Sequence, residues 1–395
     1  YHFQEHPRSS REHSKGITQM AALNEEQSMI RDQAKSWITE QSPVQKFREM
    51  RDSGIESKYT PDTWQAMIEM GWTGILVPEQ YGGSGLGYLT FGVVLEEVGR
   101  QLTASPLFAS AFVGASAVLQ GGNEEQKQAI LPKIVNGSVI LTLAVDEGPR
   151  HSPLKTALVA EKSESGFKLT GNKTFVHEGM TATDYVVAAR TSGEGEKGIT
   201  LFLVSANADG VSREAVTTFD SRGYANVHFD GVTVSEAAVL GAVDQGYRVL
   251  EALLDRARAG LGAEMLGTAA QAFDMTLGYL KTRVQFGQVI GSFQALGHRA
   301  AGLFGQMELS RSCVEAALQA IDDDADTVPK LCSLSKAKVG DFLHEMSNQL
   351  IQIHGGIGMT DEFDAGFYLK RARLLEPSFG NRAFHRDRYA RLLGF

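Results

Sequence analysis

Apolar positions recur at helical spacing through the first third of the chain. Ile30, Ala34, Trp37 and Ile38 fall on one helix face, and Val94, Leu95 and Val98 do the same further on. Pro78 and the glycine-rich stretch 81–87 (YGGSGLG) punctuate this zone as turns. From about residue 138 to 241 the texture changes to short runs rich in β-branched and aromatic residues: 167–176 (FKLTGNKTFV), 185–189 (YVVAA), 199–204 (ITLFLV) and 227–233 (VHFDGVT). Turn signals at 192–195 (SGEG) and at Asp209 and Gly210 separate these runs, which predicts a small antiparallel β domain. Helical periodicity returns at Gln245. Residues 252–283 and 292–321 each predict one long helix, and antiparallel packing is the natural way to bury their apolar stripes. The fold class is therefore α+β: an N-terminal helical domain over 20–137, a middle antiparallel β domain over 138–241 and a C-terminal antiparallel helix bundle over 242–395. The run 322–326 (DDDAD) reads as a solvated loop between helices.

The 395 residues, 43% of them hydrophobic, are enough for a large core divided among two or three domains. A formal net charge of −9 argues against nucleic-acid binding and against an anionic membrane surface. No apolar run reaches the roughly 18–20 residues of a membrane span. The two cysteines, Cys313 and Cys332, lie in helix-like sequence without metal-ligand spacing, so they read as reduced packing thiols of a cytoplasmic protein, and no metal is expected. Residues 1–19 are polar, rich in His and Arg, and lack an apolar core. They read as a tag-like or disordered extension rather than a secretory signal, and their two glutamates argue against a transit peptide.

Three glycine-bearing segments are candidates for chemistry. The stretch 81–87 lacks G-x-G-x-x-G spacing and a surrounding βαβ unit, which argues against a nicotinamide-type Rossmann site there. Gly355, Gly356 and Gly358 follow a helical stretch and precede Thr360 and Asp361. Such a junction is either a plain helix-breaking turn or a place where backbone N–H groups approach a phosphate or a flat ring. In the third segment, Arg283 and Phe286 lie one turn apart, followed by Gly287 and Gln294. Arg is a bidentate phosphate partner, Phe stacks on heteroaromatic rings, and Gln bonds their polar edges. An exposed Arg and a core Phe at a helix end is the plain alternative.

Residues 283–294 (RVQFGQVIGSFQ) resemble the R-x-x-FG-x-x-I-x-x-F/H-Q segment of the acyl-CoA dehydrogenases, and 352–358 (QIHGGIG) resembles their Q-x-x-GG-x-G. Residues 74–83 (GILVPEQYGG) and 126–137 (QKQAILPKIVNG) resemble two further motifs, and the α-β-α order is that of the family. The resemblance runs from about Asn24 to Phe395. It implies FAD between the β domain and the C-terminal helices, in a dimer or tetramer where Arg283, Phe286, Gln294, Gln352, Gly355 and Gly356 reach the FAD of a neighbouring subunit. The implied reaction is α,β-dehydrogenation of an acyl-CoA, with electrons passed to an electron-transfer flavoprotein.

The catalytic base does not fall where the family places it. One usual glutamate position carries Phe379 and the other, just before Arg258, carries Ala257. Asp255 is two residues from Ala257, about 200° around the helix, and Glu264 lies two turns on, roughly 10 Å along the axis. Glu376, ahead of Pro377, and Asp255 are candidate bases by reach alone. The family's T-E-P-x-x-G-S-D loop is replaced around 145–153 (VDEGPRHSP), and its Trp-x-Thr pair beside the flavin matches Phe175 and His177. Phe175 can cover the ring; His177 either hydrogen-bonds flavin or substrate or is an ordinary turn histidine. Residues 95–110 and 360–380 resemble subunits of heteromeric bacterial acyl-CoA dehydrogenases for bulky or unusual acyl groups, in which one subunit type can lack the base. Four readings follow: such a subunit, a homomeric enzyme with a relocated base, a flavoenzyme of different, desulfinase-like chemistry, and a non-catalytic partner. Gly260 and Gly262 fit either a wide substrate pocket or close helix packing.

Overall fold

The computed structural model describes residues 23–395; the extension 1–19 lies outside them. Helix α1 (Glu25–Gln41) begins on a capping box in which Asn24 and Gln27 satisfy each other's backbone N–H groups. Helices α2 (Val44–Ser53), α3 (Pro61–Glu69) and α4 (Gly87–Arg100) follow. A π-helical turn, Leu107–Gly114, runs into α5 (Ala115–Gly121), and α6 (Glu124–Val135) closes the N-terminal part with a second capping box, Asn123 with Gln126. The stretch 81–87 is a structural turn: its Gly83 packs so closely on Val77 that a Cβ would lie 2.0 Å from the Val77 carbonyl oxygen.

The middle part is one sheet built from β1 (Leu141–Ala144), β2 (Val159–Ser163), β3 (Gly166–His177), β4 (Asp184–Arg190), β5 (Ile199–Ser205), β6 (Val211–Ala215), β7 (Tyr224–Val234) and β8 (Val239–Leu240). The order is β6-β7-β3-β2-β4-β5-β8 and the pairings are antiparallel, except that β4 pairs in parallel with β1 and, at Val159 and Arg190, with β2. The sheet is covered on both sides at β4. Val186 and Ala188 face the helices, while Tyr185, Val187 and Ala189 face the β domain's own core, which is why this run reads as nearly continuous hydrophobic sequence.

The C-terminal bundle comprises α7 (Gly246–Thr282), α8 (Gln294–Asp322), α9 (Val328–His354), α10 (Ala365–Leu375) and α11 (Arg382–Leu392). A short hairpin of β9 (Val284–Gln285) and β10 (Gln288–Val289) joins α7 to α8. Helix α7 is buried over most of its length and shares one apolar core with the N-terminal helices. Two glycines permit this. A Cβ on Gly267 would meet the Glu96 carbonyl oxygen of α4 at 1.8 Å, and one on Gly260 would meet the Phe112 ring at 2.4 Å. Phe112 is fully buried among Tyr88, Phe91 and Phe108. Of the two readings of Gly260, close packing is the one found: the space beside it holds an aromatic ring, not a substrate cavity. Gly260→Ala should lower stability by about 1–3 kcal/mol by overpacking, although alanine is the better helix former by about 1 kcal/mol. Urea unfolding measures the balance, and an unchanged midpoint would contradict it.

Candidate active site and cofactor surface

A cavity of about 130 Å³ lies between the sheet and the turn after α10, lined among others by Asp146, His151, Phe175, His177, Tyr224 and Phe379. Phe379 has φ +54° and projects its buried ring onto His177, with centroids 5.2 Å apart and planes at 16°. Phe108 packs 6.2 Å from the same ring, and Tyr224 meets His177 edge-on at 4.8 Å. Burial lowers the His177 pKa to about 4, so its imidazole is neutral. Phe175, also at positive φ, stands half exposed at the rim.

Two cavity residues from the replaced loop, Asp146 and His151, were not singled out from the sequence, although an Asp and a His five apart were a usable signal. His151 Nδ1 lies 3.0 Å from both Asp146 oxygens and its Nε2 lies 3.3 Å from an Arg258 guanidinium nitrogen. A guanidinium only donates, so Nε2 accepts and Nδ1–H donates to Asp146. Both ring nitrogens are thus engaged.

The two carboxylates proposed from reach, Asp255 and Glu376, lie elsewhere, and so does Glu264. Asp255 is buried, with one oxygen 2.9 Å from Arg258 and the other 2.9 Å from Arg388. Glu376 accepts from Arg373 at 2.7 Å and pairs with His344 at 3.0 Å. Glu264 is buried against Arg371 at 3.3 Å. None of the three lines the cavity. Glu264 belongs to a charge cluster behind His177 that was not legible from residue spacing. Arg371 pairs with Asp220 at 2.9 Å, and Arg222 reaches Glu178 at 3.5 Å and Glu264 at 3.6 Å. Three carboxylates here face two guanidiniums, and burial raises the Glu178 pKa to about 7.

The remaining candidates form a separate, exposed group at one end of the bundle. Arg283 caps α7, its N–H bonded to the Tyr279 carbonyl at 2.9 Å. Phe286 is 91% exposed at the tip of the hairpin, and Gln294 opens α8. Gln352 is exposed near the end of α9, and Gly355 leaves that helix at φ +61°. Neither Gly355 nor Gly356 has a heavy atom within 4 Å of where a Cβ would stand. The Tyr279 and His354 rings, stacked at 4.3 Å, tie the ends of α7 and α9 together. The two glycine and arginine motifs therefore share one surface, and none of their residues lines the cavity that holds Phe175 and His177.

Three family descriptions match the chain in series: acyl-CoA dehydrogenase N-terminal domain over residues 24–138, middle domain over 146–232 and C-terminal domain over 244–394. The chain belongs to the acyl-CoA dehydrogenase family. Mitochondrial isovaleryl-CoA dehydrogenase of Pongo abelii is 31% identical over 373 residues, 92% of this chain and 88% of that protein. Among solved structures, a steroid ACAD variant is 29% identical, covering 93% of this chain and 98% of that one at a TM-score of 0.84. The ChsE4-ChsE5 complex from Mycobacterium tuberculosis is 26% identical, covering 94% and 98% at 0.85.

Acyl-CoA dehydrogenases are FAD-dependent oxidoreductases, and the two groups of residues fit that cofactor differently. The bundle end offers an exposed guanidinium, an exposed aromatic ring, two exposed amides and an open glycine turn, a set suited to a pyrophosphate and a flat ring. The cavity does not fit as it stands. Its volume of about 130 Å³ falls below the roughly 300–1,000 Å³ of ligand pockets, and Phe379 already occupies the stacking face of His177.

The raised pKa of Glu178 gives a pH signature with a definite sign. Between its ordinary value of 4.5 and about 7 the folded chain holds a proton that the unfolded chain releases. This contribution is full below pH 4.5 and is lost as pH rises to 7, on the order of 3 kcal/mol in all. Glu178→Gln should flatten that leg of the stability–pH curve in urea titrations from pH 4.5 to 8. Parallel curves for the two proteins would refute the assignment.

Proposed function

We propose that this chain is one subunit of a heteromeric acyl-CoA dehydrogenase, completing the FAD site of a related partner subunit while its own ring pocket stays closed. The observation that carries the reading is the stack of Phe379 on His177 in a cavity of about 130 Å³, set against an exposed cofactor-type surface at the bundle end. The reaction is introduction of an α,β double bond into an acyl-CoA thioester. FAD, when bound, supplies the hydride acceptor, and an electron-transfer flavoprotein is the onward acceptor that the family resemblance implies.

In this assembly Arg283 would pair with cofactor phosphate, Phe286 would cover its ring system, and Gln294 and Gln352 would bond polar edges. The Gly355 and Gly356 turn leaves room for close approach. The partner supplies the base. Within this chain Asp255 and Glu376 are held in ion pairs, and the cavity's own Asp146 is bonded to His151. The heteromeric assignment also draws on the ChsE4-ChsE5 complex, a two-component assembly by name, and the steroid ACAD makes a bulky acyl group the substrate class to try first. Free Cys313 and Cys332 suit a cytoplasmic setting.

Flavin absorbance tests the proposal. The chain purified alone should hold little FAD, and with its partner the assembly should hold one FAD per two chains. One FAD per chain, bleached by a saturated acyl-CoA, would overturn it. Arg283→Ala should lower FAD retention in the assembly by about tenfold or more, the cost of removing a charge-assisted phosphate contact. Unchanged flavin content on equilibrium dialysis would remove Arg283 from the cofactor site.

A further inference from the structure

The turn 375–380, which carries Phe379, is held by an unusual set of donors. Lys336, on α9, is buried, and its Nζ lies 3.2 Å from the Leu375 carbonyl oxygen, 3.0 Å from that of Glu376 and 3.2 Å from that of Gly380. These three carbonyls, and no carboxylate, are its hydrogen-bond partners among the described residues. The Phe379 carbonyl between them accepts from His385 Nε2 at 3.1 Å and from Arg258 Nε at 3.4 Å. Burial keeps His385 neutral and lowers the Lys336 pKa to about 7.

A buried ammonium without a carboxylate is costly unless each of its protons is bonded. Three carbonyls converging on one nitrogen meet that need, and in return they fix the path of the turn. That path includes Phe379 at φ +54°, a conformation that costs a non-glycine residue about 1 kcal/mol or more and persists only when its surroundings impose it. Next to it, Gly380 at φ +102° admits no side chain, since a Cβ would lie 2.5 Å from the Phe384 ring.

We propose that Lys336 is a positioning residue: its ammonium holds the turn 375–380 so that the Phe379 ring stays in the cavity against His177. The inference rests on the closed-pocket reading above. Lys336 does not line that cavity. It acts through the backbone, and without it the turn is free to relax from the strained conformation and withdraw the ring.

The test is run at pH 6, below the Lys336 pKa of about 7, so that the ammonium is present; it reads the accessibility of His177, whose imidazole is still neutral there and therefore a substrate for diethyl pyrocarbonate. The full-length chain in its assembled state is treated with the reagent, and modification at His177 is followed by peptide mass spectrometry. Lys336→Met should raise the rate about tenfold or more, the effect of removing several charge-assisted hydrogen bonds from a local closing equilibrium. Lys336→Gln, which keeps two donors, should fall between. Phe379→Ala removes the ring directly and should match Lys336→Met, and the double variant Lys336→Met with Phe379→Ala should go no further.

An unchanged His177 rate in folded Lys336→Met and Lys336→Gln, whatever their loss of thermal stability, would overturn the positioning role. So would a double variant whose rates multiply, because the lysine would then act elsewhere, and so would failure of both lysine variants to fold, which would make Lys336 a residue of global folding. If Phe379→Ala itself leaves His177 unreactive, the closed-pocket reading fails instead, independently of Lys336.

Discussion

The guanidinium of Arg258 is fully buried, and the arrangement around the candidate site is organised by what that burial demands. It meets Glu251 at 3.0 Å and Asp255 at 2.9 Å on its own helix, the His151 ring at 3.3 Å from the replaced loop, and the Phe379 carbonyl at 3.4 Å from the turn after α10. The Phe384 ring of α11 lies 5.6 Å beneath it. A charge in this position is tolerated only when its donors are used, and removing one partner of such a pair costs about 3–5 kcal/mol. One side chain thus ties the β domain, the long helix and the C-terminal turn into a single arrangement. It also accounts for Asp255, which is there to neutralise arginines.

That arrangement joins chemistry to packing at Phe379. A carboxylate in this place would need solvent or a cationic partner. A phenyl ring is instead stabilised by Phe108 and His177 and fills the space between them. The same aromatic layer continues through Phe108 to Phe112, which lies against Gly260. The closed pocket is therefore continuous with the main core, and the cofactor-type surface at the far end of the bundle stays open. The division of roles proposed above, between two subunit types, rests on that asymmetry.

The fold was legible in the sequence to a good degree because its signals are local. Helical spacing around Ile30, Ala34 and Ile38, strand runs such as 199–204, and the long apolar periodicity after Gln245 each depend on neighbours a few residues apart. The long helices appear as α7 from Gly246 to Thr282 and α8 from Gln294 to Asp322, against 252–283 and 292–321 read from periodicity. The parallel pairing of β1 with β4 was not legible, since it joins residues 43 positions apart at Leu141 and Asp184.

For the site, the sequence by itself determined which residue types were present: an arginine, phenylalanine, glutamine and glycine set suited to a nucleotide cofactor, and a phenylalanine and an alanine where bases were sought. Only the tertiary structure decided what each could touch. It separated Phe175 and His177 from the Arg283 and Gly355 surface. It committed Asp255 and Glu376 to arginines, and it brought Asp146, His151 and Arg258 together across more than a hundred residues. The physical reason is that reach along a chain is set by backbone geometry, whereas a side chain's partners are set by burial. A buried charge takes whichever opposite charge or carbonyl the packing delivers, and packing is a property of the whole molecule.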